Sequence, residues 1–120
     1  MRQAFAHQAD LLMPAPADEG APGAAITVAL CGHWEHQPPC PLAPHHSRAD
    51  RDGDTLRVRT LFAAEPDQAD EVRHRIEQAL RAGELSGPDG RNARWQLTSS
   101  GPAEISPDEH AHAERLIRNQ

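Results

Sequence analysis

Residues 25–31 read "AITVALC", and the architecture turns on whether they form a strand or a helix. Ile26, Val28 and Leu30 alternate with Thr27, Ala29 and Cys31, the two-residue period of a half-buried strand. Taken so, the stretch opens a sheet. A second strand follows at 55–62, "TLRVRTLF", with Leu56, Val58 and Phe62 inward and Arg57 and Arg59 outward. Between the two, "HSRAD" at 46–50 can fold back on residues 55–60 through "RDGD" at 51–54, because Asp-Gly suits a tight hairpin.

Further along, Ala69, Val72, Ile76, Ala79 and Leu80 make an apolar stripe at helical spacing over residues 67–83. Glu71–Arg75 and Glu77–Arg81 support that helix as i,i+4 pairs, and Gly83 sits near its end. "SGPDGRN" at 86–92 is a turn, and "ARWQLTS" at 93–99 is a third strand with Trp95 and Leu97 inward. The last helix begins at "SPDE": Ser106 caps, Pro107 fits the first helical position and Glu109 can reach back to the cap. Ala113, Leu116 and Ile117 form its buried face.

These elements predict an α+β domain in the order β-β-α-β-α. A three- or four-stranded mixed or antiparallel sheet carries helices on one face. Residues 1–13 suit a short preceding helix, with Phe5, Ala9, Leu12 and Met13 roughly on one side. "PAPADEGAPGAA" at 14–25 has linker composition. The expected organisation is a mobile segment over 1–24 and a single domain over 25–120.

Only 38% of the 120 residues are hydrophobic and 3% aromatic, with no tyrosine, so the core is small and mostly aliphatic. All twelve basic side chains are arginine; with the Ala and Pro bias, this points to a high-GC bacterial genome. A net charge of −6 argues against non-specific nucleic-acid binding, which depends on neutralising phosphates. The N-terminus lacks the apolar run of a secretory leader, and no stretch is long and apolar enough to span a membrane. A cytoplasmic protein is expected, and in that compartment paired thiols more often mean metal or redox chemistry than a structural disulfide.

Chemistry concentrates in residues 31–46, "CGHWEHQPPCPLAPHH". Both cysteines, four of the eight histidines and four of the eleven prolines fall there. Thiolate and imidazole are the ligands Zn²⁺ prefers, four in a tetrahedron at a structural site. Cys31, His33, His36, Cys40, His45 and His46 are the candidates; Cys31, His36, Cys40 and one of His45 or His46 would make a Cys2His2 set. The spacing is not that of a finger or ribbon. Two plainer readings stand beside it: Cys31 as a small apolar residue with solvated histidines nearby, or a Cys31–Cys40 disulfide. Cysteine catalysis by Cys31 with His33 or His36 lacks an orienting third residue and an oxyanion-forming turn.

No nucleotide-binding, metalloprotease or hydrolase signature is present, so an enzyme is not expected. "DRDGD" at 50–54 lacks the twelfth-position Glu of a calcium loop and reads as a hairpin turn. His74, His110 and His112 read as surface residues on helices, although one of the last two could reach the 31–46 segment. Arg57, Arg59 and Arg94 on neighbouring strands could meet an anion, an acidic partner or a second copy of the chain. That face carries no aromatics on which RNA bases could stack. The leading expectation is therefore a small bacterial protein holding a Zn-like ion through the 31–46 segment, in a structural or regulatory role. The alternative is a metal-free interaction or homodimerisation module using the arginine-bearing face.

Overall fold

The stretch at 25–31 is helical. In the computed structural model, which describes residues 2–14, 19–31, 43–86 and 92–118, helix α1 runs Ala21–Cys31. Ala25, Ile26 and Leu30 are buried, the spacing of one helix face, whereas Val28 is only partly covered. Pro22 lies in the first turn, where its missing N–H costs nothing. Six apolar residues and one threonine satisfy either period, and residues 21–25 of the Ala/Pro/Gly tract before them belong to this helix.

The opposite exchange occurs at the N-terminus. Residues expected to be helical form strand β1, Gln3–Leu12. Phe5, His7, Ala9 and Leu11 face one way, and Ala4, Ala6, Gln8 and Asp10 the other. Histidine in the inward row hides the alternation. Met13 is buried as well, so the core draws on residues before position 25.

The hairpin is as read from the sequence. β2 (His45–Asp52) and β3 (Thr55–Ala64) pair antiparallel, Ser47 opposite Thr60 and Asp50 opposite Arg57. Gly53 turns the chain at φ 62°. A 3₁₀ turn at Pro66–Gln68 leads into α2, Ala69–Ala82, whose Ala69, Val72, Ile76 and Leu80 are buried. Gly83 ends it at φ 75°, where a Cβ would lie 2.8 Å from the Trp95 carbonyl oxygen.

The expected third strand is broken at Trp95. β4 (Glu84–Ser86) pairs with β5 (Asn92–Arg94), and β6 (Gln96–Ala103) joins the main sheet. The buried Trp95 ring causes the break: its Nε1–H donates to the Leu80 carbonyl at 2.8 Å, and its backbone N–H donates to Gly83 at 2.9 Å. The turn expected at 86–92 falls largely on residues outside those described. A second 3₁₀ turn, Pro107–Glu109, precedes α3, His110–Arg118. There the Glu109 carboxylate accepts the Ser106 N–H at 2.9 Å, as the capping reading requires.

The four-stranded sheet has the order β2-β3-β1-β6, antiparallel throughout. β1 and β2 therefore run parallel with β3 between them, and β3 and β6 run parallel with β1 between them. These two interlocked split β-α-β units make the β-α-β-β-α-β arrangement of ferredoxin-like folds. The element order is thus not β-β-α-β-α: a strand comes first and a helix second.

Helices also occupy both faces, not one. α1 and α2 cover Ala9, Leu11, Leu56, Val58 and Phe62 with Ile26, Leu30, Val72, Ile76 and Leu80. On the other face α3 sets Leu116 against Ala6, Leu61 and Ala63. Burying both rows of β3 explains why its C-terminal half, 60–64, is apolar on both sides apart from Thr60. Among the described residues no helix is long and apolar enough to cross a membrane.

Candidate functional site

α1 ends at Cys31 and β2 begins at His45, so the Cys/His-rich segment joins these two elements. His33, His36 and Cys40 lie outside the described residues, and Cys31 is described only as the last residue of α1. His45 and His46 are neighbours on a strand, and the pleat sends them to opposite faces. His45 lies on the α1 side. Its Nδ1–H donates to the Ala43 carbonyl at 3.0 Å, which leaves Nε2 to accept the Thr27 hydroxyl at 3.0 Å. Thr27 stands one helical turn before Cys31.

A histidine with Nδ1–H on a backbone carbonyl has its tautomer and ring orientation set, the usual support of a metal-ligating imidazole. An open cleft of about 320 Å³ borders this corner, lined by Gly23, Thr27, His45 and Ser47 among others. His46 points to the α3 side, where its ring lies 4.5 Å from that of His112. Only one of the two adjacent histidines can therefore serve a site beside α1.

The three arginines do not share one face. Arg57 and Arg59 sit on the α3 side of β3, while Arg94 is on β5 in the separate two-stranded sheet. Each meets a carboxylate of its own chain. Arg57 Nε donates to Asp10 at 2.9 Å, and Arg94 is 3.6 Å from Glu84. Arg59 grips Glu109 with two bonds of 2.8 and 2.7 Å, both side chains at most 14% exposed. It also reaches the Glu104 carbonyl and, at 3.2 Å, Gln8. Hydrogen bonding to Arg59, with further bonds from Ser106, holds the Glu109 carboxyl down to about 2 against its burial.

A third group was not signalled by any sequence pattern. His7 is buried at the centre of the sheet, beneath α2. Arg73 reaches over it from α2, its guanidinium 5.8 Å from the Phe5 ring centre and 5.3 Å from that of Phe62. Its Nη1 donates to the Ala6 carbonyl at 2.6 Å and to His7 Nδ1 at 3.3 Å. Guanidinium has no lone pair to offer, so Nδ1 is the acceptor and the proton of neutral His7 sits on Nε2. Nε2–H then donates to Ser100 Oγ at 2.7 Å.

That polarity runs against a serine–histidine catalytic pair, in which the imidazole must accept the hydroxyl proton. Burial, aided by Arg73 and opposed by Glu77, lowers His7 to about 4 and keeps it neutral. The cluster is a buried polar network that pins β1, α2 and β6 together.

Among the described residues, no three His, Cys, Asp or Glu side chains converge as a ready metal site. Comparisons with protein-family models, curated proteins and solved structures gave no match. The β-α-β-β-α-β arrangement serves many unrelated functions, so the reading rests on local chemistry.

Proposed function

We propose that this protein binds one divalent transition metal of the zinc class through residues 31–46, in a structural or regulatory role. Cys31 and Cys40 supply thiolates, His45 an imidazole, and His36 the fourth ligand, with His33 as its alternate. The observation that carries this reading is the Thr27–His45 hydrogen bond. It sets His45 Nε2 beside the last turns of α1, where an ion would replace the Thr27 hydroxyl, so the first and last candidates flank a segment whose ends are already together. An ion binding there need not supply that closure entropy. The prolines at 38, 39, 41 and 44 lower the entropy lost in ordering what lies between.

Ligation requires thiolate and neutral imidazole, so affinity falls as pH drops. The test is native mass spectrometry of untagged protein. The expected result is one zinc-class ion per chain, lost in Cys40→Ser and in His45→Gln, while α2 and the β2–β3 hairpin persist by circular dichroism. A bare chain with two free thiols after zinc addition would retire the reading. A Cys31–Cys40 disulfide in protein made in a reducing cytosol would replace it with a redox role.

A further inference from the structure

His46 and His112 come from different parts of the chain, one on edge strand β2 and the other on α3, yet their rings lie 4.5 Å apart with planes tilted by 45°. His46 is exposed and His112 half-buried, so the pair opens to solvent at the rim of the α3 face. From the geometry we infer a second metal site, on the opposite face of β2 from the proposed Cys31, His36, Cys40 and His45 set: His46 and His112 chelate one borderline divalent cation and tie α3 to the edge of the sheet.

Two imidazoles with water in the remaining positions suit octahedral or tetragonal Ni²⁺ and Cu²⁺, whereas tetrahedral Zn²⁺ is usually held by three or four protein ligands. Both rings must be neutral to ligate. No third His, Cys, Asp or Glu side chain among the described residues completes the set, so water fills the remaining positions.

The location gives the site a consequence. His46 is opposite Leu61 on β3, and Leu61 packs in the apolar cluster with Leu116 of α3. A cation bridging β2 and α3 fastens the C-terminal helix over that cluster and raises the melting temperature. Mg²⁺, which demands oxygen ligands, has no grip here.

The test uses full-length protein carrying Cys31→Ser and Cys40→Ser, which removes the proposed thiolate site and separates the two readings. Thermal melts with added Cu²⁺, Ni²⁺, Zn²⁺ or Mg²⁺ read the outcome. The expected result is a saturable rise of about 3 °C or more in melting temperature with Cu²⁺ and Ni²⁺. Zn²⁺ should give a smaller rise and Mg²⁺ none, and either His46→Gln or His112→Gln should abolish the effect. His46 is exposed, so its replacement leaves the fold intact and keeps the comparison valid. Imidazole NMR spectra give a second reading: substoichiometric Ni²⁺ should broaden the His46 and His112 signals together. Broadening of one without the other, or a Ni²⁺ shift that survives both replacements, overturns the site.

Discussion

Acidifying the protein from pH 7 to pH 4 is expected to weaken it through His7, and His7→Gln should remove that sensitivity. His7 is 4% exposed, held neutral by burial and by Arg73, and titrates at about 4 in the fold against an ordinary value of 6.5. The unfolded chain therefore takes the proton first. The stabilisation is whole above pH 6.5 and is lost as pH falls through 4. Linkage between those two values gives a loss of about 1.4 kcal/mol at pH 5.5 and about 3 kcal/mol at pH 4.

Glutamine is the informative replacement because its amide oxygen can accept from Arg73 while its nitrogen donates to Ser100, and it never ionises. At pH 7 the variant should lie within about 1 kcal/mol of the native protein, the worth of one imperfect hydrogen bond. At pH 4 the order should reverse. Urea denaturation followed by circular dichroism at pH 7, 5.5 and 4 makes the comparison. His112, whose pKa is also lowered, titrates in both proteins and cancels in the difference. Parallel pH profiles for the two proteins would refute the reasoning, since His7 would then titrate alike in the folded and unfolded chain.

Glu109→Gln should cost about 2 kcal/mol, since it breaks a two-bond ion pair with both side chains largely covered. The native protein should also lose stability as pH falls from 4.5 to about 2, an acid limb absent from the variant, with urea midpoints at pH 7 and 3 as the check. Arg59→Gln should resemble Glu109→Gln, whereas Arg57→Gln and Arg94→Gln should leave the midpoint unchanged; equal effects from all three arginines would contradict these pairings. Deleting residues 1–13 should abolish the cooperative thermal transition, because it removes the strand between β3 and β6 together with Ala6, Ala9, Leu11 and Met13 of the core. A deleted protein that still melts cooperatively would mean β1 can be replaced.

The candidate metal segment was legible because its cysteines and histidines crowd together in sequence, and the chemistry of thiolate and imidazole needs no fold to be recognised. The other two groups were not legible. Ser100 is 93 residues from His7 and Arg73 is 66, and neither separation leaves a mark on local pattern. His112 read as a surface helix residue because its partner, His46, comes from a distant strand. The arginines show the converse. Their outward position on β3 was readable from alternation, but their carboxylate partners depend on β1 and on the turn before α3.

Local sequence alone determined the β2–β3 hairpin, α2 and the start of α3. Asp-Gly turns the hairpin, an amphipathic stripe closed by Gly83 specifies α2, and Ser106 with Glu109 caps the last helix. Tertiary structure decided residues 3–12 and 21–31, where strand and helix changed places against expectation. Both segments are short, rich in alanine and compatible with either period, so their own preferences differ by little. β1 is a strand because β3 and β6 offer hydrogen-bonding edges on both sides, and because Arg73 and Ser100 satisfy the histidine that interrupts its inward row. α1 is a helix because Ala25, Ile26 and Leu30 must share one face to cover the sheet beside α2. In both, burial against distant neighbours outweighed a near-balanced local choice.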